Sequence, residues 1–238
     1  MKTYHLLALA LSVSLGMTAC NTSQQPNRQA NEHNSHPQST VNQHDTHTAD
    51  TTASTDKTKP AHVVAYMDSM AKMHDDMANG VQAKNADVGF AKGMTPHHQG
   101  AIDMANIELQ YGKDAEMKAL AQNIIDAQQG EIKQMQDWLT ANEAKLPNAD
   151  NADQITKAHK ANMMKNHDAM MQGITATDPD VAFVKGMIPH HQGAIDMSDV
   201  ELKYGKDPAM RQLAEQIKQA QAPEIKQMQD WLDKKGVK

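Results

Sequence analysis

Gly93-Met94-Thr95-Pro96-His97-His98-Gln99-Gly100-Ala101-Ile102-Asp103-Met104 returns 93 residues later as Gly186-Met187-Ile188-Pro189-His190-His191-Gln192-Gly193-Ala194-Ile195-Asp196-Met197. The likeness spreads outward without a gap over residues 90–139 and 183–232, where about two thirds of the positions are identical. The same offset carries Met70 onto Met163, His74 onto His167, Asp75 onto Asp168 and Met77 onto Met170, so each unit reaches back to about residue 62. A duplicated unit of roughly 75–80 residues is one supersecondary structure made twice. The units read as residues 62–145 and 154–233, joined by a stretch rich in Pro, Asn and Asp.

No window alternates apolar and polar residues as a strand would, so the expected fold is all-α. A first helix is expected from about Val63 to Gln82, with Met67, Met70, Met73, Met77 and Val81 at spacings of three and four. A second is expected to begin near Thr95, with Pro96 in its first turn, and to stop at Tyr111-Gly112. A third starts at Asp114, or at Asp207-Pro208 in the second unit, an acidic N-cap followed there by an N1 proline. Three amphipathic helices bury little alone. The two units should therefore pack about a pseudo-twofold axis, the second and third helices of each forming a four-helix core with the first helices flanking it. Leu, Ile, Val and Phe make up only about 15% of the chain. The core must lean on Ala and on the 18 methionines, which pack more adaptably than Leu or Ile.

The N-terminal residues 1–20 read as an export signal: Lys2, then an apolar run of about a dozen residues, too short to span a bilayer. Thr18-Ala19-Cys20 has the form of a lipobox, which would make Cys20 a lipidated first residue and place the protein in the periplasm, anchored to the outer membrane. Residues 21–60 are polar, with His33, His36, His44 and His47 among them, and are expected to form a disordered linker. The 238-residue chain has a formal charge of −6, which argues against nonspecific nucleic-acid binding. A single cysteine excludes an intramolecular disulfide framework and a CxxC redox centre.

What the chain offers in quantity is thioether and imidazole. On an ideal helix, about 100° per residue places His97, His98, Ala101, Met104, Ala105 and Glu108 within a stripe of roughly 120°. His190, His191, Met197 and Glu201 form the matching stripe, with Met94 and Met187 just ahead of each histidine pair. Asp103 and Asp196 point the other way. The first helices add Met70, His74 and Met77, and Met163, His167 and Met170; the third helices add Met135 and Met228 beside Trp138 and Trp231, which read as core anchors. Thioether and imidazole together suit Cu(I) and Ag(I), and imidazole also accepts Cu(II). A thioether carries no proton and forms no disulfide, so it remains a ligand in an oxidising compartment.

The Met-x-Pro-His-His-Gln-Gly-Ala-Ile-Asp-Met box, followed by residues 128–139 and again by 221–232, resembles the bacterial copper metallochaperones of the CopM type, a family long catalogued as a domain of unknown function. The resemblance implies a ferritin-like four-helix bundle, periplasmic binding of copper or silver, and a role in metal resistance. It maps the family's ligand box onto Met94, His97, His98 and Met104, and onto Met187, His190, His191 and Met197.

The expected function is that of an exported, non-catalytic copper-binding protein, a metallochaperone or buffer holding Cu(I), with Cu(II) and Ag(I) as further guests. Its partners would be copper ions and a copper efflux or delivery protein, with membrane contact only through lipid on Cys20. One alternative is an envelope protein whose Met-rich bundle binds a partner helix. A ferritin-like di-iron oxidase is disfavoured, since its site needs two Glu-x-x-His motifs and the chain has none.

Overall fold

The structure is a computed structural model that describes residues 59–237. The expected signal, Cys20 and the linker histidines lie outside the described residues. Among the described residues there are seven α-helices and no strand: α1 (Ala61–Val81), α2 (Ala86–Tyr111), α3 (Ala115–Asn142), α4 (Ala152–Lys165), α5 (His167–Gly173), α6 (Pro179–Tyr204) and α7 (Pro208–Lys235). No helix among these is long and apolar enough to cross a membrane.

α3 and α7 begin where an acidic cap was expected: Asp114 accepts hydrogen bonds from the Glu116 and Met117 amides, and Asp207 from those of Ala209 and Met210. α2 differs from expectation. It starts nine residues before Thr95, because Asn85 caps it by accepting from the Val88 amide, and Asp178 with an N1 proline does the same for α6. Pro96 and Pro189 therefore lie inside continuous helices rather than at their starts. The counterpart of α1 is also not one helix. It divides into α4 and α5 at Asn166, whose side-chain amide donates to Asp196.

α2 and α6 are the centre of the bundle. α2 packs against α1, α3 and α6, and α6 against α2, α4, α5 and α7, while α3 and α7 meet only briefly. The Met104 methyl lies over Gly186 and the Met197 methyl over Gly93, so numbering rises on one helix as it falls on the other: the pair is antiparallel. Buried methionines and alanines fill the seam, including Met94, Met104, Met187, Ala101, Ala105 and Ala194, all 0% exposed. Trp138 and Trp231 are core residues as expected, and the cation over Trp231 is the Lys235 ammonium, 5.1 Å from the ring centroid.

Both ends of the α2–α6 pair are tied reciprocally. Asp87, in the first turn of α2, accepts from the Lys206 and Asp207 amides in the turn between α6 and α7, each at 2.8 Å. Asp180, in the first turn of α6, accepts from the Lys113 and Asp114 amides in the turn between α2 and α3, at 2.9 and 2.8 Å. Beside these aspartates lie Glu108 and Glu201, both 0% exposed. Burial, then the neighbouring Asp180 carboxylate, pushes the Glu108 carboxyl up to about 9. Burial, then the charge of Asp87, pushes Glu201 up to about 9 as well. Each glutamate keeps its proton at neutral pH and can donate it to the neighbouring aspartate.

The outer helices approach through glycine. A methyl group added to Gly80 of α1 would lie 2.5 Å from the Gly93 amide nitrogen of α2, and one added to Gly173 of α5 would lie 2.3 Å from the Lys185 carbonyl oxygen of α6. Backbone atoms cannot swing aside as a side-chain tip can. Gly80→Ala and Gly173→Ala should each therefore cost about 1–3 kcal/mol. Gly130→Ala adds a methyl that meets nothing within 4 Å. It should stabilise α3 by up to about 1 kcal/mol, and denaturation midpoints measured at constant m-value check both outcomes.

The two glutamates set a pH dependence. The folded protein holds their protons more tightly than the unfolded chain, whose carboxyls titrate near 4.5. Their contribution to stability is therefore complete at acid pH below that value and is lost as pH rises toward 9. The thermal midpoint should fall by several degrees between about pH 7.5 and about pH 9, above the range in which the buried histidines titrate in the unfolded chain. Glu108→Gln combined with Glu201→Gln should flatten that slope in calorimetry.

Candidate metal centre

The histidine boxes face each other where α2 and α6 cross. The His97 and His190 rings lie 3.9 Å apart between centroids, tilted by 40°. Both are buried, and burial, followed by the charges of neighbouring histidines, holds both well below the ordinary imidazole range. Neutral imidazole keeps a lone pair available to a metal. Nδ1 of His97 and both ring nitrogens of His190 are buried without a hydrogen-bond partner, a costly state for a polar atom unless something else satisfies it.

His98 and His191 turn outward from this crossing to the third helices. Nε2 of His98 lies 2.7 Å from Glu131 of α3, and Nε2 of His191 lies 2.7 Å from Glu224 of α7. A carboxylate on one ring nitrogen orients the imidazole and leaves the other nitrogen, Nδ1, as the one able to coordinate. These glutamates were not among the residues singled out from the sequence, although both belong to the Glu-Ile-Lys-Gln-Met stretch that is identical in the two units.

A cavity of about 20 Å³, room for roughly one water-sized sphere, opens beside His97 between α1, α2, α4, α5 and α6. Six residues expected as ligands line it: His74, Met77, His97, Met163, Met170 and Met197. Met73, Asn162 and Asn166 complete the wall, with Pro189 and Gly193 of α6. The His97 Nε2 lies over Gly193, where an added methyl would come within 3.1 Å of it. His167 does not line the cavity but joins His74 at its edge, Nδ1 to Nε2 at 3.0 Å. Among the described residues, no three His, Cys, Asp or Glu side chains are arranged to hold a metal ion, so a metal here would depend on thioether sulfur.

The remaining expected ligands are elsewhere. Met70, Met94, Met104, Met135, Met187 and Met228 are buried in the core, away from this cavity. The cavity is also unsymmetrical although the sequence is repeated. Met73 and Asn166 occupy equivalent positions, and Met73 crowds Gly100, its sulfur 2.6 Å from where a Cβ would stand. Asn166 is instead drawn toward Asp196, which also accepts from Gln192 and pairs with Lys165, and the space over Gly193 is left to His97. Asn162 adds a hydrogen bond to the Asp196 carbonyl.

Residues 87–232 match the family model described as "Domain of unknown function (DUF305)". Among solved structures, CopM in its Cu(I)-bound form is 36% identical, with 62% of this chain and 96% of CopM covered and a TM-score of 0.48. CopM has also been solved in apo, Cu(II)-bound and silver-bound forms. A DUF305 protein from Streptomyces coelicolor is 29% identical, covering 65% of this chain and 95% of that one at a TM-score of 0.53. Uncharacterized protein L153 of Acanthamoeba polyphaga mimivirus is 43% identical over 56 residues, 24% of this chain, and the chain spans 37% of that relative's length. The family match takes in more than half of the chain, with both histidine boxes and nearly all of α2, α3, α6 and α7: the protein belongs to the DUF305 family.

Proposed function

We propose that this protein is an exported copper carrier that holds Cu(I) without transforming it, and that the cavity beside His97 is its principal site. The observation that carries the reading is an ion-sized space bounded by two imidazoles, of which His97 is fully buried and held neutral, and several thioethers, with no carboxylate in its wall. His97, Met77, Met170 and Met197 would hold the ion, with Met163 and Met73 at the margin. Such donors favour a soft monovalent ion such as Cu(I) or Ag(I) over hard divalent ions. CopM, crystallised with Cu(I), Cu(II) and silver, is consistent with the same cargo.

Thioether sites exchange copper more readily than thiolate clusters, which suits buffering or hand-off to an efflux or delivery protein in copper resistance. The N-terminal signal and Cys20 support a periplasmic, lipid-anchored location. The di-iron alternative lacks a ligand set, since the chain has no Glu-x-x-His motif and, among the described residues, no three His, Cys, Asp or Glu side chains are arranged to hold a metal ion. The partner-helix alternative needs an exposed apolar face, and Met164 is the one large hydrophobic residue that stands exposed among the described residues.

Anaerobic Cu(I) titration of the full chain against a competing chelator tests the proposal. Met77→Leu with Met170→Leu and Met197→Leu keeps the packing volume but removes three sulfurs. It should weaken the tightest site at least about tenfold, as should His97→Ala. Binding equal to that of the parent protein in both variants would overturn the assignment. Asn166→Met, which gives the second unit the residue of the first, should fill the cavity and lower Ag(I) and Cu(I) affinity in the same titration.

A further inference from the structure

His74 and His167 occupy the same position in the two units, and each alone would be an ordinary half-exposed surface histidine. The fold brings them together across the margin of the cavity. His167 Nδ1 and His74 Nε2 are 3.0 Å apart, and the rings lie obliquely over one another, centroids 4.3 Å apart and tilted by 45°. His74 comes from α1, which precedes the stretch matched by the family model. Asp75 and Asp168 follow them in the chain, both exposed, and bias the local field toward cations.

Two imidazole nitrogens on one ion at the usual bond length of about 2.0–2.1 Å would subtend roughly 95° at the observed 3.0 Å separation. That angle fits neighbouring corners of a square better than those of a tetrahedron. Square-planar and tetragonal nitrogen sites select Cu(II) or Ni(II). We propose that His74 and His167 form a second metal site, an imidazole pair for a tetragonal divalent cation, at the mouth of the thioether cavity. The half-exposed position lets water fill the other coordination places, so two protein ligands suffice for an exchangeable site. Binding needs both facing nitrogens free of protons. The imidazole that now donates to its partner moves that proton to its far ring nitrogen, and no net proton is released.

The proposal does not require the Cu(I) reading of the cavity, because its donors are nitrogen alone. Cu(II) is the probe, added in air to the full chain carrying Gln in place of His33, His36, His44 and His47, so that the linker contributes no imidazole. Electron paramagnetic resonance should report one Cu(II) with two equatorial nitrogens. His74→Gln and His167→Gln, each on a half-exposed residue, should each lower Cu(II) affinity at least tenfold and remove the two-nitrogen pattern. Met77→Leu/Met170→Leu/Met197→Leu should retain the Cu(II) signal while losing Ag(I) capacity, which separates failure of this site from failure of the cavity. A two-nitrogen signal that is absent from the starting protein, or that persists in His74→Gln/His167→Gln, would overturn the proposal.

Discussion

The close antiparallel passage of α2 against α6 is the contact on which the rest depends. It places the His97 and His190 rings 3.9 Å apart in an interior that keeps both neutral. Small residues make the approach feasible: Gly93 and Gly186 receive the methyls of Met197 and Met104, and Ala101, Ala105 and Ala194 are fully buried. The cavity takes His97 from α2 and Met197, Pro189 and Gly193 from α6, so it exists only while these helices hold their distance.

That distance is held from the ends. Asp87 and Asp180 each gather two amides of the opposite hairpin's turn, and a protonated glutamate beside each aspartate avoids a second buried negative charge. An ionised pair in this setting would repel and lose solvation together. The middle of the bundle is softer, because methionine has three rotatable bonds and tolerates changes in local shape. Firm ends and an adaptable centre fit the proposed role, in which the interior would admit a metal ion without losing its fold.

Much of the helical framework was legible from spacing. Asp114 and Asp207 act as caps as their positions imply, and the methionine seam is buried. Pro96 suits a helix start by its fixed φ, yet α2 begins at Ala86, because Asn85, like the Asp178-Pro179 pair of α6, caps the helix earlier. The break at Asn166 was not legible from the repeat, since it depends on Asp196 capturing a side chain from a neighbouring helix. Among candidate ligands, the histidine boxes stood out because they recur intact. Which methionines would line a cavity did not, because core and ligand methionines share the same helical spacing.

Residue order alone determined the helical class, the duplication, the sulfur and imidazole donor chemistry and the location of the histidine pairs, because these follow from periodicity and from what each side chain can do. Tertiary structure decided which donors meet. A one-residue difference between equivalent positions, Met73 against Asn166, distinguishes the crowded face at Gly100 from the open one at Gly193, and two histidines 93 residues apart become neighbours. Periodicity assigns a side chain to a face of its own helix, whereas the space left between faces depends on how several helices pack at once.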